Sequence, residues 1–166
     1  MGDERVVELT RRLREGYDRV LATLDEITDD AAWTAVTVGE GWPVAVVTRH
    51  IADGYSMCTH WVSCAVAGTP IGTTMDWIHA QNDDVVARYG TTTREESLAA
   101  LAASWAELET LLSGLQDEDL RRAVRFPVAG EEAEADSEFY IKNTIRHTAG
   151  HLQSLRAAAG LETAAT

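Results

Sequence analysis

The segment IRHTAGHLQSL, residues 145–155, places His147 and His151 four positions apart. On an α-helix such residues share one face with their Cβ atoms about 6 Å apart, close enough for both imidazoles to reach one metal ion. Two histidines at this spacing also occur by chance on helix surfaces, so the pair alone leaves open a metal site or ordinary hydrogen-bonded side chains. A three-ligand metal site with an open position requires one more donor, from a different helix.

Three further histidines could supply the third ligand. His50 lies near the start of a long apolar segment that also contains Gly54, a residue whose presence inside a helix indicates a close contact or a break. His60 is rotated about 80° away from His50 on a 3.6-residue helix, so one ion would not easily bind both. His79 lies in a separate segment. The pattern favours His50 modestly and predicts packing or surface roles for His60 and His79.

Proton-transfer candidates flank the histidines. Tyr140 lies two turns before His147 on the same helix face and is the candidate catalytic residue, with an ordinary packed tyrosine as the alternative. Asp53 and Glu138 are carboxylates that could carry a proton in metal-assisted hydrolysis. Glu138 lies near the start of the last predicted helix, where a carboxylate commonly serves only the helix dipole.

Other reactive side chains give weaker signals. Arg49, Arg146 and Arg156 could attract an anionic substrate, although Arg146 projects about 100° away from the adjacent histidine and suits a surface ion pair. Cys58 and Cys64 are six positions apart on a predicted helix, so we expect reduced core residues rather than a disulfide. The sequence contains no GxSxG, CxxC or P-loop motif, which leaves the common nucleophile and nucleotide sites without support.

Helical periodicity dominates the segments that must position these side chains. Apolar residues recur every three or four positions from Val6 to Ile27, and a capping box formed by Thr93 and Glu96 marks the start of a later helix. The predicted helices cover approximately residues 3–27, 44–67, 73–89, 93–112 and 137–159. Residues 34–42 are predicted to be a polar connection. Residues 116–136 are predicted to be a long crossover with a short extended piece at Val124–Val128.

These elements predict an all-α bundle with little or no β-structure, formed by residues 1–166 as a single domain with a frayed tail from about residue 161. The chain has 14 basic and 27 acidic side chains and a formal net charge of −13. Such a charge repels phosphate backbones and argues against nucleic acid or an anionic membrane as partners. No apolar run is long enough to span a bilayer and the N-terminal segment lacks a signal-peptide core, so we expect a cytoplasmic protein.

Three segments together resemble the DinB-like superfamily of four-helix-bundle metalloproteins. GWPVAVVTRHIADGY looks like the family's second-helix signature, and IRHTAGHLQSLR looks like its last-helix HxxxH. WIHAQNDDVVARYG and the Leu-rich segment after it resemble the intervening helices. The resemblance implies a four-helix bundle with an extra short helix and a long crossover before the last helix. It also implies that His50, His147 and His151 bind one divalent metal, with Trp42 walling the pocket.

The resemblance also implies a class of activity. Relatives include mycothiol-dependent maleylpyruvate isomerase and bacillithiol-type S-transferases, so a metal-dependent transferase or isomerase that joins a low-molecular-weight thiol to a small electrophile is the first hypothesis. Family metals include zinc, nickel, iron and manganese, and three imidazoles favour zinc or nickel. Some of the isomerases have a carboxylate where this chain has His147, which argues against maleylpyruvate as substrate. The alternatives are a non-catalytic metal-binding stress-response or ligand-binding protein and a metal-dependent hydrolase. A homodimer is expected because family members often pair through bundle faces.

Overall fold

Four long helices form the body of the protein. The computed structural model describes residues 4–126 and 133–161. Its long helices are α1 (Glu4–Asp25), α3 (Val44–Ala67), α6 (Arg94–Ser113) and α7 (Ser137–Ala158). Helix α3 packs against α6 and α7, and α1 packs against the same two helices, so the four close into a bundle. The predicted all-α bundle is confirmed. In the described ranges, no helix has the length and apolar character needed to cross a membrane.

The apolar stripe of α1 faces the centre of the bundle, as its periodicity predicts. Leu9, Leu13 and Leu24 are almost completely buried. Burial of one such side chain stabilises a fold by about 1.5–3 kcal/mol, so the stripe holds α1 in place. Tyr17 continues the stripe, and its ring stacks on that of Trp105 in α6 with the centroids 4.6 Å apart.

Local signals in the sequence set the ends of the long helices. Thr93 and Glu96 form the predicted capping box, in which each side chain accepts a hydrogen bond from the other residue's backbone N–H. Gly68 ends α3 with φ = 69°, a left-handed conformation that glycine adopts without the steric cost of a Cβ. Asp136 caps α7 by accepting a hydrogen bond from the backbone N–H of Phe139 at 2.7 Å.

The prediction of a single helix over residues 73–89 is wrong. The chain forms α4 (Met75–Asp83) and α5 (Val85–Tyr89), separated by a turn at Asp84. Asn, Asp and Val have below-average helix propensity, and they fill residues 82–86 without interruption. The break separates α4, which has no buried residue, from α5, where Val85 is fully buried.

Two connections complete the fold. The predicted polar connection at residues 34–42 follows a short helix, α2 (Asp30–Trp33), that the sequence pattern did not indicate. Trp33 anchors α2, because its buried ring donates a hydrogen bond to the carbonyl of Ile27 at 3.0 Å. The crossover contains a 3₁₀ turn (Asp119–Arg121) and strands β1 (Ala123–Arg125) and β2 (Glu134–Asp136), which pair antiparallel. The end of the predicted extended piece, residues 127–128, and the predicted frayed tail at 162–166 lie outside the described residues.

Candidate metal centre

Helices α3 and α7 bring three imidazoles together. His50 lies on α3, and His147 and His151 lie one turn apart on α7. The Nε2 atom of His147 is 3.0 Å from Nε2 of His50 and 3.2 Å from Nε2 of His151. One ring nitrogen from each histidine lies within 4.8 Å of the other two. The three side chains could therefore hold a metal ion between them, with two ligands from one helix and one from its neighbour.

Gly54 makes this close approach of α3 and α7 possible. A Cβ atom at position 54 would lie 2.8 Å from both Cε1 and Nδ1 of the His147 ring. A real Cβ would force the imidazole out of its place, so only glycine fits there. The close contact that Gly54 indicates in the sequence is thus a contact with a histidine of the candidate site.

A carboxylate from the loop before α3 orients His151. The Nδ1–H of His151 donates to Oε1 of Glu40 at 2.7 Å, which leaves the lone pair of Nε2 directed at the other histidines. Thr37 donates to the other oxygen of Glu40 at 3.0 Å. Burial acts to raise the pKa of Glu40, but hydrogen bonds from Ser154, His151 and Thr37 outweigh it and lower the pKa below its ordinary value. Glu40 is therefore an ionised partner of the kind that orients metal-ligating histidines.

Burial keeps two of the histidines uncharged. It lowers the pKa of His50 to about 4, with a further contribution from the charge of His151. It lowers the pKa of His147 to about 3, with contributions from His151 and His50. Because a metal binds the neutral form of imidazole, both rings are in the ligand form at neutral pH.

The donor set fits a divalent cation. Three imidazole nitrogens lie within 4.8 Å of one another, and a divalent cation is the group that such a set of nitrogen donors accommodates. The Nδ1 atom of His147 is buried without a hydrogen-bond partner among the described residues. The ring of His147 is thus held by packing against Gly54 and by its two histidine neighbours.

The three histidines line a cavity of about 330 Å³, which we call the histidine cavity. Its apolar walls are formed by Trp42, Met57, Trp61, Trp77 and Ile78. Its polar walls are formed by Gln81, Asn82, Asn143 and Thr144. The Trp42 ring lies edge-on to His50 with the centroids 5.1 Å apart, and is roughly parallel to that of His151 at 6.4 Å. A cavity of this size with apolar walls and a few polar groups is typical of a small-molecule site.

Tyr140 lies away from this cavity, although it shares a helix face with His147. Its side chain is fully buried against Trp61 and Phe126, with ring centroids 5.6 Å and 5.1 Å from those two rings. Burial raises the pKa of its hydroxyl to about 12. Tyr140 lies seven positions before His147 on the helix, a rise of about 10 Å, which places the hydroxyl in the aromatic core beyond the site. Its catalytic role stays a prediction.

Other candidates are dispersed. Asp53 lines a second cavity beside His50. Glu138 forms ion pairs with Arg5 and Lys142 at 2.6 Å each. Cys58 is fully buried, and burial raises the pKa of its thiol to about 12, which fits an unreactive core residue.

None of the remaining candidates lines either of these cavities. His60 and His79 are exposed. Arg146 is exposed as well, with Nη2 3.5 Å from the side-chain oxygen of Asn143. Arg49 lies over the ring of Tyr89 at 4.5 Å, and Arg156 is in the last turn of α7.

Sequence reasoning did not identify Glu40, Trp77 or Arg88 as parts of the site. Glu40 stands in the motif GEGWP, where a carboxylate between two glycines just before the Trp–Pro pair was an available signal. Trp77 lies on α4 and lines both cavities, and Arg88 lies on α5 and lines only the second one. No local sequence signal predicts that these two short helices pack beside the cavities.

Comparison with known proteins agrees with the fold. The sequence matches the family model of the DinB superfamily over residues 12–155, a span that contains all three histidines. No curated protein matches it. An uncharacterised protein from Escherichia coli UTI89 is similar in structure, with a TM-score of 0.67 and 15% sequence identity over 95% of this chain and 96% of that chain. At that identity the likeness concerns the fold alone. The match to the family model establishes that the chain belongs to the DinB superfamily.

Proposed function

We propose that this member of the DinB superfamily holds one divalent metal ion through His50, His147 and His151 and binds a small molecule beside it. The observation that carries the proposal is that three imidazole nitrogens lie within 4.8 Å of one another in the lining of a cavity with apolar walls. Three protein ligands leave at least one coordination position for water or for a ligand atom.

Zinc or nickel is the metal that the donor set favours. Neutral imidazole binds late first-row ions more tightly than the harder manganese ion, and affinity rises along the series towards nickel and copper. Iron and manganese are the other metals that the family resemblance implies. Glu40 adds negative charge behind His151, which strengthens the binding of any of these cations.

The reaction we propose is transfer of a low-molecular-weight thiol, such as mycothiol, to a small electrophile. A bound divalent ion supplies thiolate at neutral pH by lowering the pKa of a coordinated thiol. In the transfer, a sulfur–carbon bond forms, the bond to the leaving group breaks, and the thiol proton departs with that group. Trp42, Trp61 and Trp77 would exclude water and pack against the apolar part of the electrophile. The thiol class comes from the family resemblance, and the cavity is compatible with it.

Non-catalytic metal and ligand binding is the second candidate. Apart from the three histidines, the described residues that line the histidine cavity include no Asp, Glu, Lys, Tyr or Cys side chain. A hydrolase would need a general base at the metal, and Asp53, one of the carboxylates predicted from the sequence, lines only the neighbouring cavity. This lining favours a binder over a hydrolase.

The homodimer and the cytoplasmic location belong to the same proposal, and analytical ultracentrifugation measures the oligomeric state.

Elemental analysis of the protein purified without a His-tag tests the metal site. We expect about one equivalent of metal per chain, and a loss of most of it in His50→Ala, His147→Ala and His151→Ala. The exposed histidines give matched controls, since His60→Ala and His79→Ala should keep the full content. Metal below about a tenth of an equivalent, or equal content in all five variants, would overturn the metal proposal.

A second assay separates the transferase from the binder. The metal-loaded protein is incubated with a small thiol and a chloronitrobenzene, and release of chloride is followed over time. A transferase should exceed the rate of its His50→Ala variant by at least about tenfold. Equal rates across several thiols would leave the binding protein as the function.

A further inference from the structure

A second cavity of about 200 Å³ adjoins the cavity that holds the three histidines. The two share five lining residues, namely His50, Met57, Trp77, Gln81 and Asn82. Beyond them the second cavity is lined by Asp53, Ser56 and Arg88, and we call it the polar arm. His50 lies where the two cavities meet, so a ligand beside the histidines can extend into the polar arm.

Arg88 is the cation of the polar arm, and two neighbouring groups position its guanidinium. Its Nη2 atom donates to the backbone carbonyl of Gln81 at 3.1 Å, and its guanidinium carbon lies 4.8 Å from the centroid of the Tyr89 ring. Its closest carboxylate oxygen, on Asp53, is 3.6 Å away, which is beyond hydrogen-bond distance. The described residues thus leave most of the five N–H donors of this guanidinium without a partner.

Asp53 does not neutralise Arg88 fully, because it is engaged elsewhere. The hydroxyl of Tyr89 lies 3.0 Å from each of its two carboxylate oxygens and donates to them. The ring of the same tyrosine also lies against a second guanidinium, that of Arg49, at 4.5 Å. Two arginines therefore flank Tyr89, and the carboxylate lining the arm shares its charge between a hydroxyl and Arg88. A cation with free donors remains at the edge of the arm, in a chain of net charge −13.

We propose that Arg88 binds a carboxylate group of the small molecule that occupies the cavity, so that the ligand class is a small carboxylic acid with an apolar body. A planar guanidinium with unused N–H donors matches a carboxylate in geometry and charge. The tryptophans of the histidine cavity receive the apolar body. This proposal rests on the proposed function, because it assumes that the ligand binds beside His50. It applies equally to a transferase and to a binding protein.

Two compounds of the same size test the proposal: 3-phenylpropionate and its neutral amide, 3-phenylpropanamide. Their binding to the metal-free full chain is followed by tryptophan fluorescence, since three tryptophans line the histidine cavity. The wild type should bind the acid about tenfold more tightly than the amide, the gain expected for a charge-assisted hydrogen bond. Arg88→Gln should remove this preference. Arg88→Lys should keep part of it, because lysine retains the charge and loses the fork of donors.

The matched control is Arg19→Gln, which makes the same charge change on the exposed side of α1 and should keep the wild-type preference. The proposal is overturned by equal affinities in the wild type, by a preference that survives in Arg88→Gln, or by binding of neither compound. If Arg88→Gln does not fold, an undiminished preference in Arg88→Lys overturns it. The metal content of the protein as purified, measured separately, decides the metal proposal. A protein that is purified without metal but keeps the Arg88-dependent preference refutes only the metal site.

Discussion

Glu40 Oε1 accepts a hydrogen bond from Nδ1 of His151 at 2.7 Å, across 111 residues of sequence. The contact joins the loop before α3 to the last helix, and it fixes which nitrogen of His151 faces the other two histidines. Glu40 thus belongs to the candidate metal centre although it is not one of the three proposed ligands. Glu40 stands two residues before Trp42, which lines the cavity. One short loop therefore supplies both the residue that orients His151 and part of the cavity wall.

We expect Glu40→Gln to weaken metal binding by about 10–100-fold, while the content at saturating metal stays that of the wild type. The glutamine amide keeps the shape of the side chain but lacks the negative charge. In the wild type that charge orients the His151 ring and makes its Nε2 atom more basic. Competition with a chelator of known affinity measures the change. Glu26→Gln, an exposed position at the end of α1, is the matched control. Equal affinity in the two variants would show that Glu40 does not support the centre.

We expect opposite effects from alanine at two helical glycines. In Gly54→Ala the new Cβ would lie 2.8 Å from the ring of His147, so the imidazole must move. The variant should lose about 1–3 kcal/mol of unfolding free energy and most of its metal. Gly150 lies in α7 between the two histidines, and a Cβ atom added there would meet no neighbouring atom of the described residues within 4 Å. Gly150→Ala should gain about 0.5–1 kcal/mol and keep its metal.

Urea unfolding and elemental analysis of the two glycine variants check both halves of this expectation. Loss of metal in Gly150→Ala as well would mean that α7 tolerates no change near the histidines. Full metal in Gly54→Ala would show that the close approach of α3 and α7 is not needed for binding.

The long helices and the face shared by His147 and His151 could be predicted because both follow from local periodicity. Thr93 and Gly68 mark helix ends through hydrogen bonds or backbone conformations that involve only near neighbours. Gly54 was informative for the same reason, since an unfavourable residue inside a helix requires a compensating contact. Local signals therefore predicted the scaffold and the shared face of His147 and His151, whereas the choice of His50 as the third ligand came from the family resemblance.

Long-range contacts account for what the sequence did not predict. Glu40 reaches His151 only after the loop has folded against α7. Trp77 and Arg88 both line the polar arm because the chain turns at Asp84 between α4 and α5. The turn follows from the weak helix propensity of residues 82–86 combined with the burial of Val85. Angular periodicity placed Tyr140 on the correct face, but it ignores the distance along the helix axis.

Acid should weaken the link between α1 and α7. Arg5 and then Lys142 hydrogen-bond the carboxylate of Glu138 and lower its pKa to about 2. Because the pKa of Glu138 is lower in the folded chain than its value of about 4.3 in the unfolded chain, the ionised carboxylate stabilises the fold above that pH. This stabilisation is lost as the pH falls towards 2. We expect Glu138→Gln to remove this part of the acid sensitivity, at a cost of less than about 1 kcal/mol at neutral pH because the pair is partly exposed.

Urea unfolding at a series of pH values between 2 and 6 measures this contribution. Glu107→Gln, at an exposed position of α6, should leave the acid profile unchanged. Parallel profiles for the wild type and Glu138→Gln over the whole range would mean that Glu138 carries the same pKa in the folded and unfolded chain.

Tyr140→Phe separates packing from catalysis. The hydroxyl of Tyr140 is buried and has no hydrogen-bond partner among the described residues. Removing an unsatisfied polar group while keeping the ring should leave the unfolding free energy unchanged or raise it by about 1 kcal/mol. We also expect unchanged metal content and an unchanged rate in the thiol assay, because the hydroxyl lies in the aromatic core with Trp61 and Phe126. A rate that falls at full metal content would support the catalytic role that the spacing from His147 predicts, and would require the hydroxyl to reach the cavity during turnover.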